Sequence, residues 1–228
     1  MRHLILCCLI AAAAWGAQSE MEKARDRQDS AALEKMASEA EASAQKSPKD
    51  AEAQYRAALT DSYLAEVFVQ QRDKGRGKRA AEAGIQAAER AVAMAPSNAE
   101  YNRILGSLLG QAIAGGNLFT GLSYGKRAQD SIAKALRLDP KSSKAHMSEG
   151  VGNYYMPSEF GGGPDKAIKS FNDAVALDPK NAEAYLWLGL AQRKAHRNKE
   201  ARDAISKSLA LNPNQIWAKQ QLEKTPAQ

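Results

Sequence analysis

The sequence has two cysteines, and both lie at its very start, Cys7 and Cys8. Beyond them there is no thiol for a disulfide framework, a thiolate metal site or a cysteine nucleophile. They also precede any adequate apolar stretch, which argues against lipid attachment. Histidine is equally sparse: His3, His146 and His196 form no pair with a carboxylate at ligand spacing, so a zinc site lacks its donors. No serine stands in a nucleophile-elbow context. Aromatic residues make up 6% of the chain and none interleaves with its basic cluster, which removes the stacking surface that nucleic acid needs. The opening apolar run, Leu4 to Ala14, is shorter than the roughly 20 residues of a bilayer span. These absences leave little material for an enzyme, and no cofactor or metal is expected.

The remainder is ordinary globular material, 44% hydrophobic and 25% charged. Arg2 and His3 precede the uncharged run, and "AWG" followed by Ala17 supplies the small residues that a signal peptidase reads. Residues 1–16 are therefore expected to be a secretory signal peptide cleaved near Gly16, and the protein to be exported, in a periplasm. Cleavage removes Arg2 and no acid, so the net charge of +6 becomes +5, a balance that favours anionic surfaces.

The prolines carry the organisation. Pro179 and Pro213 are 34 residues apart, and the intervals back through Pro140, Pro96 and Pro48 are 39, 44 and 48. A unit of 34 thus recurs with insertions of 5, 10 and 14. Gly106, Gly150 and Gly189 fall at one phase of it, although glycine inside a helix costs about 1 kcal/mol relative to alanine. A close helix approach there explains them, with Ala128, Ala167 and Ala201 on the facing helix. Leu105 with Leu109, Phe171 with Val175, and Ile205 with Leu209 stand one turn apart and make apolar stripes that only a neighbouring hairpin can cover. Each proline drives the residue before it out of helical geometry and so ends a helix.

The unit from Ala182 to Gln215 holds Tyr185, Leu188, Gly189, Ala201, Ile205, Ser208 and Pro213. In this it resembles the tetratricopeptide repeat. The preceding units keep His146, Gly150, Ala167, Phe171, Ala174 and Pro179, then Leu105, Gly106, Ala128, Ile132, Ala135 and Pro140, and a worn first unit keeps Ala58, Gly84, Ala91 and Pro96. The resemblance covers residues 51–215 and implies an all-α solenoid of antiparallel helix pairs in a right-handed superhelix. Residues 17–50 are expected to be a capping helix region, and residues 216–228 a C-terminal capping helix and tail.

In that family the concave surface is lined by the second, fifth, ninth and twelfth residues of each unit. These positions are Glu52, Tyr55, Leu59 and Ser62, then Glu100, Arg103, Ser107 and Gly110, then Lys144, Met147, Val151 and Tyr154, and last Glu183, Leu186, Leu190 and Arg193. The candidate groove for a protein or peptide partner is Lys144, Met147, Val151, Tyr154, Leu186, Leu190 and Arg193, an apolar floor edged by cations. A second candidate is "KGRGKRA" with its flank. Arg72, Lys74, Arg76, Lys78 and Arg79 cluster there around two glycines, as a solvated loop or a peripheral contact with an anionic membrane surface. Neither site is expected to take nucleic acid. The loops "AIAGGNLFTGLSYGK" and "YYMPSEFGGGPDK" are read as insertions between helices, the latter a glycine-rich turn closed by Pro164.

The functional expectation is an exported, non-catalytic scaffold holding a partner in its concave groove. The alternative rests on the "YYMPSEFGGG" loop, which is similar to that of periplasmic accessory subunits of organic-acid transporters. It implies a transport component handling a small apolar or organic-acid ligand in a pocket with Tyr63, Phe68, Phe119 and Tyr154.

Overall fold

A computed structural model describes residues 20–114 and 118–227, the side chains of residues 114, 118–120 and 122 excepted. The expected signal peptide lies outside them. Among the described residues every regular element is helical: α1 (20–26), α2 (Ser30–Lys46), α3 (Ala51–Gln70), α4 (Lys74–Met94), α5 (Ala99–Ala114), α6 (Leu118–Leu138), α7 (Ser143–Tyr155), α8 (Pro164–Leu177), α9 (Ala182–Lys194), α10 (Asn198–Leu211) and α11 (Ile216–Glu223). Helices α3 to α10 pair in order as four hairpins, and each hairpin packs on the next to make an α-solenoid.

The prolines act as read. Ala95, Asp178 and Asn212, each preceding one, have φ of −137° and ψ between 71° and 92°, outside helical geometry. The chain then turns back within a few residues, the amide of Asn98, Ser142 or Asn181 donating to the carbonyl of Ala95, Asp139 or Asp178. Those same three residues cap the next helix, their side chains accepting from the amides of Tyr101, Ala145 and Ala184.

The glycines mark closest approach. A methyl group placed on Gly189 would lie 2.5 Å from Ile205 Cγ1 and 2.8 Å from the Ala201 carbonyl oxygen; on Gly150, 2.5 Å from the Phe171 ring; on Gly106, 2.7 Å from Ile132. No side chain but hydrogen fits.

One expectation changes. The insertions of the first two units mostly lengthen helices instead of forming loops: α3 and α4 have 20 and 21 residues, and α5 and α6 have 16 and 21, against 13 and 14 in α9 and α10. "KGRGKRA" lies inside α4, started by Asp73, whose side chain accepts from the Arg76 amide. Gly77 there is a packing residue, since a methyl group on it would meet Val69 at 3.1 Å and the Ala65 carbonyl at 3.3 Å. The "SEFGGG" stretch is a true connector, with a 3-10 turn at Ser158–Phe160 and positive φ at Gly161 and Gly163, closed by Pro164 at the first turn of α8.

The leading segment, expected as a capping helix region, forms two helices with the turn geometry of a repeat hairpin. Gln28 between α1 and α2 has φ 52°, as Arg72 has 67° between α3 and α4 and His196 has 60° between α9 and α10. In each turn the following amide closes on a carbonyl five residues back: Asp29 on Ala24, Asp73 on Phe68, Arg197 on Gln192. Helix α1 thus stands where a repeat's first, inward helix stands.

The apolar interior falls into two parts. Met21, Ala58, Leu59, Ile85, Leu108 and their neighbours join with Leu33, Val67 and Phe68 in the N-terminal half. Phe171, Leu186, Leu188, Ile205 and Ala218 build the C-terminal one, which α11 closes by setting Trp217 edge-on to Trp187 at 5.2 Å.

Two substitutions test the packing. Gly189→Ala gains about 1 kcal/mol of helix propensity but overpacks against backbone, for a net loss of about 1–2 kcal/mol and a lower Tm. Gly152→Ala, with nothing within 4 Å, should raise Tm by the equivalent of about 0.5–1 kcal/mol. Thermal melts followed by circular dichroism measure both.

Candidate functional site

Side chains that face inward from α3, α5, α7 and α9 recur about once per turn, because a helix presents the same face every three or four residues. On the N-terminal side they form a polar ladder. The Tyr55 hydroxyl donates to Glu100 Oε1 at 2.9 Å, and its ring stacks on Tyr101 at 5.0 Å. Arg103 is 7% exposed and donates twice to Glu100, at 2.7 Å each. Arg103 also reaches Ser148 Oγ at 3.3 Å, and Ser107 and Ser148 share a 3.1 Å hydrogen bond. Ser62 and Gln111 link α3 to α5 one turn further along. Burial opposes ionisation of Glu100, but the Arg103 guanidinium outweighs it and holds the carboxyl below its usual range.

A second largely covered cation on this face is Arg25 of α1, which sequence reasoning did not single out. Its Nη1 donates to Glu183 Oε2 of α9 at 2.9 Å, its Nε and Nη2 to Asp26 Oδ1, and its guanidinium lies 4.9 Å from the Tyr63 ring centroid. The Asn212 amide donates to Asp26 Oδ2 at 2.7 Å, and Gln220 to Gln28 Oε1 at 3.4 Å. The first and last hairpins therefore meet across the inner space. Burial works against the charge of Arg25, yet Glu183, then Glu66, raise its pKa well above the ordinary value. The Glu66 carboxyl is pushed up by burial and then by Glu183, and Arg25 draws it partly back.

The sequence-named groove residues are distributed as follows. Met147, Leu186 and Leu190 are 9%, 0% and 3% exposed and belong to the C-terminal core. Val151 and Tyr154 are partly buried against that core, Tyr154 set edge-on to Trp187 at 5.7 Å with the Lys194 ammonium 4.6 Å from its ring centroid. Arg193 is committed to the C-terminal cap, donating to the Gln221 carbonyl, to Gln221 Oε1 at 2.8 Å and to Thr225 Oγ1. Lys144 is exposed and faces the field of Glu100. Of the basic cluster, Arg76 is held by Asp73 at 2.6 Å and lies over Phe68, and Lys78 pairs with Glu82 at 3.6 Å. Arg72, Lys74 and Arg79 are exposed.

The aromatic pocket of the alternative reading is not assembled from its described members. Phe68 is 2% exposed inside the N-terminal core, Tyr63 lies under Arg25 and Tyr154 packs on Trp187; the Phe119 side chain lies outside the described residues. A depression of about 360 Å³ does exist between α1, α2 and α3, lined by Met21, Met36, Ala40, Ala53 and Thr60, with none of those aromatics. Among the described residues no cluster of His, Cys, Asp and Glu is placed to hold a metal ion, and no helix is long and apolar enough to cross a membrane.

Stacked helix hairpins with a small residue at each crossing and an inner face of first helices define a tetratricopeptide-repeat protein, and residues 160–216 match the family described as tetratricopeptide repeat. The chain belongs to the family described as regulator of microtubule dynamics protein 1-3, which it matches over residues 13–157. A peroxisomal targeting signal receptor of Candida albicans is 32% identical over 103 residues, 44% of this chain and 17% of that protein. Among solved structures, a thermophilic TPR protein of Thermus thermophilus superposes with a TM-score of 0.62 at 19% identity, covering 83% of this chain and 88% of that one. The HusA haemophore from Porphyromonas gingivalis gives 0.57 at 18% identity, covering 76% and 93%. At such identities the likeness is one of fold.

One buried acid sets a pH dependence. Asp61 on α3, beside Gly84, is pushed from 3.8 to about 7, first by burial and then by Glu41. Between those values the unfolded chain has lost a proton that the folded chain keeps, so raising the pH favours unfolding. Glu66 acts in the same sense. Urea midpoints should fall from pH 5 to pH 8, and the fall should be smaller in Asp61→Asn.

Proposed function

We propose that this protein is an exported scaffold that holds a segment of another protein against the inner face of its solenoid and performs no chemistry of its own. A tetratricopeptide fold suggests a protein-binding scaffold, and scaffolds of this fold are generally non-catalytic. The observation that carries the reading is the inner face itself. It is continuous from Glu52 and Tyr55 through Glu100, Arg103 and Ser148 to Glu183, and offers hydrogen-bonding groups and charges of both signs in ordered positions. Such a surface suits an extended or helical polypeptide, which brings backbone and side-chain partners at a regular spacing. The burial of Leu186 and Leu190 moves the expected contact from an apolar floor to this polar ladder and to Lys144, Val151 and Tyr154 at its C-terminal side.

Export is supported by Arg2, His3 and the uncharged run that follows, and the exposed Arg72, Lys74 and Arg79 suit a peripheral contact with an anionic membrane surface. The family description names microtubule dynamics, which supports a protein as partner. Periplasmic and cytosolic partners are separated by experiment. The double variant Lys144→Glu, Val151→Asp should reduce capture of envelope proteins at least tenfold in a pull-down, with helical content and Tm retained; unchanged capture removes the inner face from the reading. Co-sedimentation with microtubules is expected to be absent. Intact-mass measurement of the product made in a secreting host should show a chain beginning near Ala17, and a full-length mass would remove the export step.

A further inference from the structure

The two apolar cores share no described side chain: one is built from α1 to α6, the other from α7 to α11. The side-chain hydrogen bonds that join them are polar on both sides, while Ile132 and Ala135 of α6 and Ala145 of α7 are buried outside both cores. Where α7 meets the first block, Arg103 and Ser107 of α5 bond to Ser148, and Gln129 of α6 makes a weak contact with Met156 at the end of α7. Helices α6 and α7 also meet over a smaller interface than α2 with α3, α4 with α5, or α8 with α9. Across the inner space the links are Arg25 to Glu183, Asn212 to Asp26 and Gln220 to Gln28. Apolar cores resist separation because water has nothing to offer their surfaces, whereas a polar seam exchanges its bonds for water at small net cost.

We propose that the chain is a latched clamp. The blocks α1–α6 and α7–α11 hinge at the α6–α7 junction, and the seam of Arg25, Asp26 and Gln28 with Glu183, Asn212 and Gln220 holds them shut. Opening the seam uncovers Tyr63, Glu66 and Glu183, and closing it over a partner segment is how the solenoid grips. Arg25 is the pin of the latch. It is a cation whose carboxylate partners come from opposite blocks, Asp26 of α1 and Glu183 of α9, each at 2.9 Å. Any segment that enters must replace its charge or leave those acids facing each other unpaired. The partner's entry rests on the scaffold reading; the hinge does not.

The test needs no partner. Spin labels on the exposed Lys35→Cys in α2 and Lys219→Cys in α11, in a chain with Cys7→Ser and Cys8→Ser, report the distance between blocks by pulsed electron resonance. The parent should give one narrow distance. Arg25→Ala and Glu183→Gln should shift the distribution to longer distances and broaden it, with at least nine-tenths of the helical circular-dichroism signal retained. An unchanged distribution in folded variants overturns the proposal, and so does wholesale loss of helix in both, which would make the seam part of the core. If the labels separate but no envelope protein is captured, the latch stands and the scaffold reading falls.

Discussion

The solenoid rests on the distance at which two helices of a hairpin cross. Where Gly189 passes the Ala201 carbonyl, and Gly150 passes the Phe171 ring, there is no room for a methyl group. That approach lets Ile205 and Phe171 reach across the crossing and be wholly buried, each at 0% exposure. A hairpin so closed has one apolar side left over, and only another hairpin of the same shape covers it. Stacking is therefore a consequence of the crossing, and the inner face is a consequence of stacking, because the first helix of every pair is turned the same way.

The sequence displayed this constraint unevenly. Prolines at the ends of second helices were legible because their effect is local: Asp178 and Asn212 adopt the same non-helical backbone that any residue before proline prefers. Glycines at one phase were legible because their cost in a helix calls for a compensating contact. The two glycines of "KGRGKRA" misled for the same reason in reverse. Beside so many cations they resemble a flexible loop, while Gly77 is in fact the small residue that lets α4 pass Val69 and Ala65. The first hairpin is ended by Pro48, after a non-helical Ser47, as the others are by theirs, and its turn shares the left-handed Gln28 and the closing bond from Asp29 to Ala24.

The candidate site was legible as a set of positions and not as an environment. Counting from each unit's start singled out Glu100, Arg103 and Glu183, which take part in the bonds between helices described above. It could not tell that Leu186 and Leu190 would sink into the core, since a helix that carries apolar residues on most of its turns is covered on more than one side. Arg25 was invisible because its partners, Glu183 above all, are remote in sequence, with a separation of 158 residues. The available sign was a cation one helical turn beyond Met21, which is buried.

Burying a guanidinium is costly unless carboxylates and hydrogen-bond acceptors surround it, and here they come from both ends of the array. Asp26 of its own block satisfies the guanidinium in part, and Glu183 of the other block takes the remaining Nη1 bond. Burial works against the charge of Arg25 but its acidic neighbours, Glu183 foremost, outweigh it, and Arg25 draws Glu66 only partly back from the value to which burial raises it. The repeats fix the curvature that brings the ends within reach, and the charge decides that they touch. The side chains that link the ends, Arg25, Asp26, Glu183 and Asn212, are polar, and in this they depart from the apolar pattern that the hairpin crossings impose.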